Sequence, residues 1–214
     1  MTPNFTQKLI NFINSKNAKI SNISLLIAGN VISGSEIYTV NLLKGGLFKI
    51  LREFLRQNVH LEHTWWCIEN MTAGNSNNFY FIISDVEIMQ ILAQSVRAPC
   101  DHAVRHYATK SLVNIFLNSS EPIILQLLQK FEFFEILIKS LNYPDTQMVQ
   151  NILSAVNRIF NIFEKSAESL DILVEKFECS EGVEMLDKIS NDCENETVAA
   201  FAANLLEKFQ SSMS

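Results

Sequence analysis

Four segments of this chain can be laid over one another in a single frame. ISLLIAGNVISG (23–34) and HTWWCIENMTAG (63–74) both run through apolar residues to an asparagine and then, four residues on, to a glycine. Asn30 thus aligns with Asn70, and Gly34 with Gly74. HYATKSLVNIFLN (106–118) carries Asn114 in the same slot, and QNILSAVNRIFNI (150–162) carries Arg158 there. The slots are about 40 residues apart and then about 44 apart twice, a period that holds two short helices and a longer one. Such a repeat constrains the fold more than composition does, because each unit must bury its apolar face against the next.

Helical periodicity fills the frame. In LFKILREFLRQ, Leu47, Ile50, Leu51, Phe54 and Leu55 recur at three and four residues and draw one apolar face. AVNRIFNIF does the same with Val156, Ile159, Phe160 and Phe163. IILQLLQKFEFFEILIKSL divides into two helices near Phe131 and Glu132. Breaks fall at SGSE (33–36), GG (45–46), AGNSNN (73–78), RAPC (97–100), NSSEP (118–122) and NYPDT (142–146), each rich in cap and turn residues. Ser120 ahead of Pro122, and Asp145 ahead of QMVQNIL, read as helix starts. Only 6 Gly and 4 Pro in 214 residues argue against a sandwich or barrel, which needs more frequent punctuation.

These observations predict an all-α, right-handed armadillo-repeat solenoid of about four to five repeats. We expect one domain over 1–214: a partial first repeat at 4–34, repeats at 35–75, 76–119 and 120–166, and a more polar capping repeat at 167–210.

Composition removes several function classes. A net charge of −6 speaks against wholesale nucleic-acid binding. No apolar run nears the roughly 20 residues of a membrane span, and MTPNFTQKLINF lacks the order of a secretory signal. Cys67, Cys100, Cys179 and Cys193 form no C-x-x-C pair and read as reduced thiols of an intracellular protein. Cys100, Asp101, His102 and His106 are close enough to suggest zinc, but a helix start capped by Asp101 accounts for them more simply. No phosphate loop or nucleophile elbow is present, so we expect neither enzyme activity nor a cofactor.

WWCIENMTAGN (65–75) resembles the importin alpha family, whose long third helix carries Trp-x-x-x-Asn and ends in a Thr-Ala-Gly-Asn turn. The matching positions are Trp66, Asn70 and Thr72 to Asn75. IAGNVISGSE (27–36) is similar to that family's turn one repeat earlier, and SEGVEMLDKISNDCENETVAAFAANLLEKF (180–209) to its closing repeat. The resemblance implies the C-terminal armadillo repeats, with third helices lining a groove for an extended segment of a protein partner. Residues four apart on a helix share a face. An Asn amide can therefore hold a peptide backbone while Trp66 walls a slot for Lys or Arg. On the residues alone, Trp66 also suits the core, and Trp65, about 100° away, suits packing against a neighbouring helix.

The resemblance thus implies a groove built from Trp66, Asn70, Asn30 and Asn114, with Lys110 also on it. It implies a link to nuclear import, a place in the cytoplasm or nucleus, and an exportin contact at the closing repeat. The basic arm that binds importin beta is not matched, since the first twenty residues hold only Lys8, Lys16 and Lys19. The chain also departs from the family pattern within the groove. Leu26 and Lys110 stand where rings or Arg are expected, Arg158 takes an Asn slot with Ser154 before it, and His63 takes an acidic position beside Glu62. The alternative is a rigid structural subunit of a larger assembly, its peptide groove disused.

Overall fold

The computed structural model describes residues 3–74, 79–97, 101–165 and 167–212. Among them are fourteen α-helices, one short 3-10 helix and no strand. The chain forms two compact units, Met1–Asn118 and Ser119–Ser214.

The first unit holds α1 (Pro3–Ile13), α2 (Ala18–Gly34), α3 (Glu36–Lys44), α4 (Leu47–Gln57), α5 (Leu61–Ala73), α6 (Tyr80–Ser84), α7 (Val86–Arg97) and α8 (His102–Asn118). The long helices α2, α5 and α8 pack in series, α5 against α2 and α8 against α5. The helices are punctuated as cap chemistry requires. Asn17 accepts from the backbone N–H groups of Lys19 and Ile20 and opens α2. Gly46, at φ 97°, precedes α4 in a conformation that a β-carbon would strain. Leu47, Leu51 and Leu55 form the buried stripe of α4, and Ile50 and Phe54 flank it half-buried. Its polar face is clamped to α7. Arg52 pairs with Asp85 at 2.8 Å and Glu87 at 3.0 Å, and Arg56 with Glu87 at 2.9 Å. Asp85 also caps α7 by accepting from the N–H groups of Glu87 and Ile88.

The second unit holds α9 (Glu121–Lys130), α10 (Phe133–Lys139), a 3-10 turn (Ser140–Asn142), α11 (Thr146–Glu164), α12 (Ala167–Cys179), α13 (Gly182–Asp192) and α14 (Glu196–Ser212). Asp145 caps α11 through the N–H of Gln147, and the break between α9 and α10 falls at Phe131 and Glu132. The core is aromatic. Phe209 of α14 stacks on Phe177 at 3.8 Å and 9°, meets Phe160 edge-on at 4.5 Å, and lies 6.4 Å from Phe134. The same rings leave no space at the start of α13: a β-carbon on Gly182 would lie 2.3 Å from the Phe177 ring and 2.7 Å from its carbonyl oxygen.

One junction of the first unit should respond to pH. His60 opens α5 in the left-handed region, at φ 49°, with its ring 5.2 Å from Phe54. Burial, and then the neighbouring His63, hold its imidazole below the usual 6.5. The folded pKa lies below the unfolded one, so the unfolded chain takes up the proton first. This contribution to stability is complete above about pH 6.5 and declines as pH falls toward the folded value. His60→Asn keeps a residue that tolerates left-handed backbone. It should lose less urea resistance than wild type between about pH 7.5 and about pH 5.5. Equal losses in the two proteins would exclude His60 as the source.

Candidate functional site

The question raised by WWCIENMTAG is why one helix carries two indoles and an amide. The structure gives Trp65 and Trp66 separate tasks. Trp65 is fully buried, its indole N–H without a hydrogen-bond acceptor among the described residues. Trp66 is half-buried, and its six-membered ring lies against Gly29 of α2. A β-carbon there would come within 2.5 Å of Cζ3 and 2.6 Å of Cε3. Gly29 therefore permits the close approach that seats the ring.

The frame asparagines serve helix stacking first. The Asn70 Nδ2 donates to the Gly29 carbonyl at 3.3 Å, reaching from α5 back to α2. The Asn114 Nδ2 reaches from α8 to α5, at 3.4 Å from the Glu69 carbonyl and 3.5 Å from Thr72 Oγ1. Asn118, in the slot aligned with Gly34 and Gly74, donates to the Thr72 carbonyl at 2.9 Å. These carbonyls lie in the C-terminal halves of their helices, and those nearest the ends have no intrahelical donor of their own. Asn30 differs: it is exposed and donates to Leu26 of its own helix at 3.0 Å. In the second unit, Arg158 donates to the Ser119 carbonyl at 2.6 Å, so a guanidinium stands in the amide slot and also reaches for a carbonyl.

Among the described residues, the Asn70 side chain makes no other hydrogen bond. Together with Ile32, Ser33, Gly34, Ser35, Glu36, Thr39, Met71, Ala73 and Gly74, it lines a cleft of about 270 Å³ in the first unit. Lys110, aligned with Trp66, turns toward α5 and pairs with Glu69 at 3.4 Å, where the carboxylate is nearly buried. The positive charge of Lys110 is thus offset locally. His63 Nδ1 donates to Asn22 Oδ1 at 2.7 Å, and the Cys67 thiol donates to the Leu25 carbonyl at 3.5 Å. Burial pushes that thiol up to about 12, so it stays protonated.

Glu69, Gly29 and the His63–Asn22 bridge carry this geometry and are not apparent from the repeat frame. Asp101 accepts from the Ala103 N–H at 2.8 Å and caps α8, while Cys100 and Asn75 lie outside the described residues. Among the described residues, no group of three His, Cys, Asp or Glu side chains is placed to hold a metal.

Solved armadillo proteins share this arrangement of helices. A computationally designed armadillo repeat protein for modular peptide recognition superposes with a TM-score of 0.75 at 18% identity, over 94% of this chain and 80% of that one. A designed armadillo repeat protein in complex with the peptide (KR)4 superposes at 0.74 and 19%, over 95% and 81%. An engineered protein matches at 0.66 and 16%, over 99% and 98%. No protein-family model and no curated protein matches the chain. The fold is the all-α armadillo-repeat solenoid.

Proposed function

We propose that this chain is a non-catalytic adaptor of the importin alpha type, holding an extended segment of a protein partner against α5. The observation that carries the reading is Asn70. Its amide donates to the Gly29 carbonyl, and the residue lines a cleft, one helical turn from the half-buried Trp66 ring. An amide held in place that way can pair with a peptide backbone without paying for its own ordering. The peptide-binding purpose of the designed armadillo proteins, one of them bound to (KR)4, supports a basic segment as ligand. The sequence resemblance extends the proposal to nuclear import, with residence in cytoplasm and nucleus and an exportin contact over 181–210. Asn30 and Asn114 would continue the backbone contacts along neighbouring helices.

The test is titration of a fluorescent Lys/Arg peptide. Trp66→Ala should weaken binding by about 0.5–2 kcal/mol through loss of a cation–π wall. Asn70→Ala should weaken it by roughly 0.5–1.5 kcal/mol per hydrogen bond. Lys110→Gln should tighten it, because Glu69 then has no cation of its own. Absence of saturable binding in wild type would end the basic-peptide reading.

A second reading, the structural subunit with a disused groove, has its own observation. The Asn114 amide points to acceptors on α5, and Arg158 makes a short bond to Ser119, so side chains in the frame slots already hold the fold together. That reading expects Trp66→Ala and Asn70→Ala to lower stability and leave peptide binding absent in every variant.

A further inference from the structure

The second unit carries most of the acid of this chain. Residues 119–214 hold sixteen of the 23 Asp and Glu but only seven of the 17 Lys and Arg. The imbalance peaks across α13 and its flanks, where residues 178–196 hold seven acids and one base, Lys188. α13 also borders a cleft of about 520 Å³, larger than the Asn70 cleft and within the size range of ligand pockets. Leu141, Tyr143 and Val149 line it from the core side, all three buried, and the half-buried Met185 and Ile189 of α13 face them with more hydrocarbon. Glu184, Lys188 and Asp192 line it too, exposed and spaced four apart along one face of α13. In the first unit, the acids at the start of α7 are met by Arg52 and Arg56 of α4. The cleft acids have no such neighbour: among the described residues, neither Glu184 nor Asp192 makes an ion pair or a side-chain hydrogen bond.

We propose that this cleft docks a short segment of a partner protein in which apolar anchor residues are flanked by Lys or Arg. The anchors would fill the space between Val149 and Ile189, and the flanking cations would meet Glu184 and Asp192 at the exposed edge. Charge complementarity selects this occupant. An anionic amphiphile would be repelled by a region so rich in carboxylates, and a neutral apolar molecule would leave them without a counter-charge. The cleft uses no residue of the α5 groove, so it is a separate site.

The probe is a fluorescent hexapeptide, two leucines between two pairs of lysines, titrated against the full chain. Binding should be saturable and should weaken several-fold as salt rises from about 50 to about 300 mM. Cys193 reports the place. Its half-buried thiol lines the cleft, whereas Cys179 of α12 is exposed and does not line it. Bound peptide should slow alkylation of Cys193 by iodoacetamide several-fold and leave Cys179 unchanged, as read by mass spectrometry. Glu184→Lys alters an exposed side chain, so circular dichroism should be unchanged while affinity falls about ten-fold. Glu175→Lys makes the same change of charge at an exposed position of α12 outside the cleft, and should cost far less. Serine in place of both peptide leucines should also abolish Cys193 protection. The proposal is overturned by any of four results: no saturable binding at about 1 mM peptide, binding that leaves Cys193 unprotected, equal losses in Glu184→Lys and Glu175→Lys, or a serine peptide that binds as well as the leucine one.

Discussion

Phe209→Ala is expected to cost about 3–5 kcal/mol. The ring is fully buried and contacts Phe177, Phe160 and Phe134, which come from three other helices of the second unit. Its removal leaves a cavity lined by rigid rings that cannot collapse into it, and stacking and edge-on geometry are lost beyond the buried area. Lys208 adds polar anchoring beside it, donating to Asn157 and Asn161 on α11 and lying 5.9 Å over the Phe160 ring. Domains as a rule are stable by only about 5–15 kcal/mol, so much of the margin goes with this one ring. The measurement is a urea titration followed by circular dichroism, with amide exchange to locate the loss. Amides of α12, α13 and α14 should lose protection while those of α2 and α5 keep theirs, because a repeat array is stabilised through neighbouring units. Phe209→Leu, which retains most of the volume, should cost less than about 1.5 kcal/mol. A loss under about 1 kcal/mol for Phe209→Ala would show that the four rings do not act as one cluster.

Much of the fold is legible in the sequence because repeat period and helical period are both local signals. The breaks at Gly45–Gly46, Phe131–Glu132 and Asp145 fall where cap and turn chemistry puts them. The site is less legible, because its geometry depends on pairs some forty residues apart. The frame draws attention to Gly34 and Gly74 as helix stops. Yet a β-carbon at Gly34 would meet nothing within 4 Å, and at Gly74 only an ordinary contact at 3.5 Å. Within the site the glycine with a steric task is Gly29, which no local rule distinguishes, since its reason is a ring on another helix. The amides show the same limit. Asn70 and Asn114 are recognisable as a stripe, but a sequence cannot say whether an amide faces a ligand or a neighbouring carbonyl. Lys110 is the clearest case: by sequence it is a cation on the groove, and in three dimensions it neutralises Glu69.

Gly29→Ala should change the sign of its effect according to whether Trp66 is present. In an exposed helix, replacing Gly by Ala stabilises by about 1 kcal/mol, through backbone entropy. In wild type that gain is opposed, because the new methyl would lie 2.5 Å from the indole ring and the ring must move. Overpacking of this kind costs about 1–3 kcal/mol, so the net effect is destabilising. In a Trp66→Ala background the obstruction is gone, and Gly29→Ala should stabilise by up to about 1 kcal/mol. The double-mutant cycle therefore yields a coupling energy of roughly 1–3 kcal/mol. Fluorescence adds a direct reading of the ring. Trp65 is fully buried, so a red shift in Gly29→Ala reports Trp66 swinging toward water. The same displacement moves the wall of the proposed groove, so peptide affinity should fall in Gly29→Ala without any change to a groove side chain. Additivity within about 0.5 kcal/mol would mean that the ring is not seated on Gly29 in solution. Coupling in stability with unchanged peptide affinity would assign Trp66 to packing between α5 and α2 and remove it from the proposed groove.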